Sequence, residues 1–161
     1  MSAIKGSDAL STNLQGLMSA FPKAINRAVV KTANDVRNEA IDSIRKEQSQ
    51  GRVYTHYFKA MLPNGALIEG ERRGKPHTAS AAGDAPNTDT GNLIGKIAVE
   101  SPRRGVSFVG TSVDYGKFLE FGTKRMAERP WLQPAMDKKA PELPKSITNA
   151  ITEEIQKRRQ R

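Results

Sequence analysis

No cysteine occurs in this chain, so disulfides and thiolate metal sites are excluded outright, and the fold has to hold by packing alone, as suits a reducing compartment. Histidine is nearly as scarce: His56 and His77 are the only two, and without a second histidine at helical spacing they make no zinc site. No apolar run approaches the roughly 18 to 20 residues that a bilayer span needs, and the N-terminus lacks the basic-then-apolar order of a signal peptide. A soluble protein with no membrane partner is expected. Aromatic residues are few and are not interleaved with the basic clusters, which removes the base-stacking platform of a single-strand binder. Gly105 to Gly110 contains neither a Walker lysine pattern nor GxGxxG, so no phosphate cradle is expected there.

What is present is one domain's worth of chain, 161 residues with a net charge of +9, enough to bury a single core. The positive charge attracts polyanions in general. It is spread along the chain, with local clusters at Arg72-Arg73, Arg103-Arg104 and Lys157-Arg158-Arg159. These fit a solvated basic surface or a weak electrostatic role beside DNA.

From Leu10 to Ile44, apolar residues recur mostly three or four apart (Leu10, Leu14, Leu17, Phe21, Ile25, Ala28, Val36, Ala40, Ile44), the stripe of a long amphipathic helix. Pro22 withholds an amide inside that pattern, so a short helix that restarts at Pro22 and runs to about Lys46 is expected, with Gln48-Ser49-Gln50-Gly51 as its polar end. Around Pro63-Asn64-Gly65 the period changes, and Val53, Tyr54, Tyr57, Phe58, Met61, Leu67 and Ile68 read as a β-hairpin. A second hairpin is expected where Ile97 and Val99 alternate before Pro102-Arg103-Arg104-Gly105, and Val106 and Phe108 after it, at the centre of a small antiparallel sheet. Gly70 to Asn92 holds no apolar side chain larger than Ala or Pro, so it reads as a flexible arm, disordered or ordering on a neighbour. Pro130 is expected to open a final helix with Leu132, Met136, Leu143, Ile147, Ile151 and Ile155 on one face, interrupted near Pro141 and Pro144. The fold class is therefore α+β: a small antiparallel sheet flanked by a long N-terminal helix and a C-terminal helix, with a long flexible insertion loop at 70–92.

Four blocks stand in order between Thr90 and Ala135: Thr90-Gly91-Asn92-Leu93, the strand end Val109-Gly110-Thr111, Tyr115 to Thr123 with Glu120-Phe121-Gly122-Thr123, and Arg129-Pro130-Trp131-Leu132-Gln133-Pro134-Ala135. The ordered set resembles the head-tail joining proteins of tailed bacteriophages, the neck or tail-completion family. Three departures stand out: Gly116 where the family tends to have Ala, Ile94-Gly95-Lys96 for a basic-x-Ser run, and Trp131 for Phe. The resemblance implies a non-enzymatic virion protein, assembled in the host cytoplasm into a homo-oligomeric ring at the neck or tail end. Its partners would be other copies of itself, head-completion or connector proteins and tail-tube or tail-terminator proteins, with non-specific contact to transiting DNA and no cofactor or metal. Phe118, Glu120, Thr123, Arg129 and Trp131 are the expected interface and turn residues, with the arm from His77 to Asn87 for partner contact. The alternative is a small basic nucleic-acid-binding protein, whose duplex affinity would fall steeply with salt.

Several residues admit a second role. Glu120 can accept bonds from the turn that follows it, or pair with Lys124, Arg125 or Arg129 in the same or a neighbouring subunit. Trp131 belongs either to the core or, beside Arg129, to an interface. Asp89-Thr90-Gly91 spells the aspartic-protease tripeptide, but polar Ala85-Pro86-Asn87-Thr88 precedes it where such enzymes have an apolar strand, so it reads as the entry to an element anchored by Leu93. Asp114 and Glu120, with Ser112, Tyr115 and Thr123, are too few for the roughly six oxygens a hard cation wants.

Overall fold

A computed structural model describes residues 4–46, 51–55, 57–71 and 76–159; His56, Arg72-Arg73 and the expected polar helix end at 48–50 lie outside them. Apolar residues three and four apart produce one helix, α1 (Ile4–Arg45), 42 residues long. Its C-terminal half carries the core, where Val36, Ala40, Ile41 and Ile44 pack with Leu93, Ile97, Trp131 and Ala135.

Pro22 lies inside α1 without breaking it, so the expected restart does not occur. The missing amide leaves the Met18 carbonyl without its helical donor, but Met18 and Pro22 are both exposed, where solvent satisfies it, and Ala24 and Ala28 are buried just beyond. The chain returns along this stretch as α5 (Leu143–Arg159). Arg27 pairs with Glu154, and the Arg158 guanidinium covers Gly16, so α5 runs antiparallel to α1. The hydrogen bond from Arg27 holds the Glu154 carboxyl below its ordinary range, and the one from Lys138 does the same for Glu39. Before α5 come α4 (Gln133–Lys139) and a 3-10 turn, Ala140–Glu142, which contains Pro141. The interruption expected at the prolines is there, but the helix opens at Gln133 with Pro134 in its first turn, not at Pro130.

Strands β5 (Ile97–Arg103) and β6 (Val106–Thr111) form the expected hairpin, pairing Ile97 with Thr111 and Val99 with Val109. The register shifts between Glu100 and Arg103, where Pro102 has no amide to give to the ladder. Two bonds clamp the hairpin along α1: Arg37 Nε donates to the Ile97 carbonyl and the Gly105 amide donates to Asn26 Oδ1, each at 2.9 Å. The first hairpin is also present, as β2 (Tyr57–Met61) and β3 (Leu67–Glu71) around Gly65 at φ 80°. Val53–Tyr54 is not part of it; this strand, β1, pairs with β4 (His77–Thr78). Among the described residues the strands thus make three separate antiparallel pairs, not one sheet. Packing of β5 and β6 on α1 supplies the apolar support that a third strand would otherwise give.

The described part of the 70–92 segment is built onto the body and does not project as an arm. Thr78 is paired in β4, Ser80 and Pro86 are buried, and the Gly83 amide donates to the Glu128 carbonyl at 2.9 Å. Small residues allow this, because they let backbone approach backbone where no large side chain fills the gap. The segment ends in a short helix, α2 (Asn92–Lys96), entered through Gly91 at φ 74°, and Leu93 is buried in the core.

Candidate functional site

The site is the turn region between β6 and α4. After Thr111 the chain enters α3 (Gly116–Phe121), leaves it through Gly122, makes a tight turn in which Thr123 and Met126 exchange backbone hydrogen bonds, and reaches Trp131. Glu120 organises this path. Its carboxylate is buried and accepts the backbone amides of Trp131 and Leu132 on Oε2, both at 2.9 Å, and that of Gln133 on Oε1 at 2.8 Å. These amides open α4, which has no capping side chain of its own; one carboxylate satisfies three amides at its start and sits against the positive end of the helix. Of the roles open to Glu120, the structure has an internal brace, but its partners are the backbone amides at the start of α4 and not the turn that directly follows, nor Lys124, Arg125 or Arg129.

Trp131 is 3 % exposed and its indole Nε1 donates to the Gly116 carbonyl at 3.2 Å. It is therefore a core residue of this turn. Arg129 faces the segment before α2: its Nε donates to the Ser80 carbonyl at 3.2 Å, and its amide donates to the Leu119 carbonyl at 2.7 Å. His77 is half-buried in β4, and Asn87 reaches back to it, donating from Nδ2 to the Thr78 carbonyl at 2.8 Å. The expected residues thus fall into two joined groups, Glu120 with Trp131 and Arg129 with the His77–Asn87 stretch. Phe118 and Thr123 stand exposed outside both, with Lys117 Nζ 5.1 Å from the centre of the Phe118 ring.

Gly116, one of the departures noted in the sequence, has a local cause. A Cβ there would lie 2.5 Å from the Thr111 methyl and 3.6 Å from Leu93 Cδ1. Thr111 cannot swing freely, because its hydroxyl accepts the Val113 amide at 3.3 Å and its branched side chain is stiff about χ1. Gly116→Ala is expected to destabilise the fold by about 1–3 kcal/mol through overpacking, and Thr111→Ser in the same chain, which removes only the methyl, should recover most of it. Urea denaturation of both variants and of Thr111→Ser alone checks this; two additive losses would show that the methyl is not what Gly116 accommodates.

Two of the hollows that border the turn bear on the sequence readings. One, of about 380 Å³, is lined by Thr88 to Leu93, Tyr115 and Leu119. It offers the single carboxylate of Asp89 and no facing second one, so the tripeptide there is placed as the entry to α2. The other is an apolar groove of about 360 Å³ between α1, β6 and α4, edged by Phe108, Phe121 and Met136. Phe121 is 79 % and Phe108 61 % exposed. The sequence reading missed this groove. The signal available was Phe108-Val109, adjacent apolar residues of which a strand can turn only one inward; Val109 packs on the core and Phe108 faces out. Among the described residues, no group of three or more His, Cys, Asp or Glu is placed to hold a metal ion, and no helix is long and apolar enough to cross a membrane.

Searches of family models, curated proteins and solved structures returned no match to this chain.

Proposed function

We propose that this chain is a structural protein of a tailed-phage virion, a neck or tail-completion component that assembles as a homo-oligomeric ring and completes the tail or joins it to the DNA-filled head. Its work is binding without chemistry. The observation that carries the reading is that the four sequence blocks behind the resemblance converge on one rigid unit. Leu93 and Trp131 share a core cluster, Thr111 packs on Gly116, and Glu120 ties α3 to the start of α4. A segment built this tightly, with Phe118 and Phe121 left exposed on it, suits a preformed docking face that needs little ordering on assembly.

The test is removal of the gene from its parent phage, followed by electron microscopy of the particles. Filled heads beside separate, unattached tails are expected. Normal, joined and infectious particles would overturn the reading and favour the nucleic-acid alternative, which requires steep, salt-dependent duplex binding by the isolated protein.

A further inference from the structure

Three basic segments that are far apart in sequence meet along the N-terminal half of α1. On α1 itself, Lys23 and Arg27 stand exposed one turn apart, and Gly16 precedes them on the same face at helical spacing. The β5–β6 turn, with Arg103 and Arg104 exposed, is fastened beside them by the bond from the Gly105 amide to Asn26 Oδ1. The last turns of α5 lie on the same stretch: Arg27 and Lys157 both reach the Glu154 carboxylate, and the Arg158 guanidinium covers Gly16. At about 1.5 Å per residue, Gly16 and Arg27 are roughly 16 Å apart along the helix, so six cations share one short strip. Little opposes them. α1 has no carboxylate between Asp8 and Asp35, the turn 101–105 has none, and residues 153–159 hold two, Glu153 and Glu154. Glu154 is taken up by Arg27 and Lys157, whereas Lys23, Arg103, Arg104 and Arg158 make no ion pair among the described residues. Charge that is dispersed along the sequence is thus gathered by the fold.

We infer that this strip binds the phosphate backbone of duplex DNA without reading its sequence. A duplex carries about one negative charge per 1.7 Å of axis, so a strip of roughly 16 Å faces about nine of them. The cations run in a row along a straight helix, which matches an evenly charged rod. Four of the six are arginines, Arg27, Arg103, Arg104 and Arg158, whose planar fork suits phosphate oxygens. A duplex fits better than a single strand, because the three segments expose no aromatic ring on which a base could stack; Phe21, the one aromatic residue in 16–27, 101–105 and 153–159, is half-buried. The inference does not depend on the ring reading. A virion component lying beside DNA and a free-standing DNA binder would both carry such a face, and the gene-removal experiment separates those two.

The test is fluorescence anisotropy of a labelled duplex of mixed sequence, titrated with the full-length protein from about 50 to about 200 mM salt. Affinity is expected to fall about 10²-fold over that range, a log–log slope of about −4 for the four unpaired cations, and to be the same for unrelated sequences. Arg103→Ala with Arg104→Ala should halve the slope, and adding Lys23→Ala should reduce it by about one more, which ties hairpin and helix to a single contact. Lys124→Ala with Arg125→Ala removes the same charge from the exposed turn after α3 and should leave the slope unchanged. Equal losses from the two pairs would mean that net charge alone attracts the duplex, and would overturn the strip as its site. Absence of binding at the lowest salt overturns it as well. Polyglutamate bound as tightly as the duplex would overturn DNA as the ligand and assign the strip to an acidic protein.

Discussion

Glu120→Ala is expected to lower the unfolding free energy by about 3–4 kcal/mol, the largest loss from any single polar side chain among the described residues. The carboxylate accepts three amides at the start of a seven-residue helix, and a helix that short does not persist without tertiary support. Each charge-assisted bond contributes about 1.5–3 kcal/mol, but three bonds to one group are not additive, which limits the total. Glu120→Gln separates the capping role from simple side-chain bulk. Its amide oxygen can replace Oε2 beneath Trp131 and Leu132, but its amide nitrogen then faces the donor of Gln133, so roughly half of the alanine loss is expected. Trp131, the only tryptophan, is buried beside this cap, so its fluorescence reports the transition in urea. A glutamine variant as stable as the parent would remove the carboxylate from its capping role.

Gly122→Ala is expected to be comparably severe, a loss of about 3–5 kcal/mol. The residue has φ 69° and ψ −174°, a region open essentially to glycine alone. A Cβ there would also lie 2.8 Å from the Met126 carbonyl oxygen and 2.9 Å from the Glu128 nitrogen. Both are backbone atoms, so neither can rotate out of the way. Gly105→Ala is the control, since Gly105 also has positive φ, 75°, with nothing within 4 Å of its would-be Cβ. It should lose only the conformational part, about 1–2 kcal/mol. Equal losses at the two positions would show that the close approach of the 126–128 backbone contributes nothing.

The sequence announced those features whose cause is local. The spacing of Val36, Ala40 and Ile44 marked the buried stripe of α1, and glycine at the two hairpin turns marked their reversals. Glu120 was legible as an internal brace because a turn with backbone donors follows it closely, although that turn is not what it holds. Its donors were not, because three amides beginning eleven residues later become neighbours only once α3 and α4 are placed. The uninterrupted passage through Pro22 was not legible, because it goes with the exposure of Met18 and Pro22 and with α5, from the other end of the chain, lying along α1. Residues 76–92 looked like a free arm because they lack large apolar side chains. They are held instead by backbone carbonyls that receive Asn87 and Arg129, a kind of anchorage that hydropathy does not register. The groove was legible only in part: Phe108-Val109 signalled one outward-facing apolar residue, but Phe121 and Met136 border the groove from distant parts of the chain.

The length of α1 has a hydrodynamic consequence. Forty-two helical residues span about 63 Å, whereas a compact chain of this size has a radius of gyration of about 15 Å and a diameter near 40 Å. A molecule threaded by such a rod experiences more friction than a sphere of equal mass and tumbles anisotropically. Elution volume calibrated on round standards would therefore overstate its size. Subunit counting is better taken from mass, by light scattering or sedimentation equilibrium, because those readings do not depend on shape.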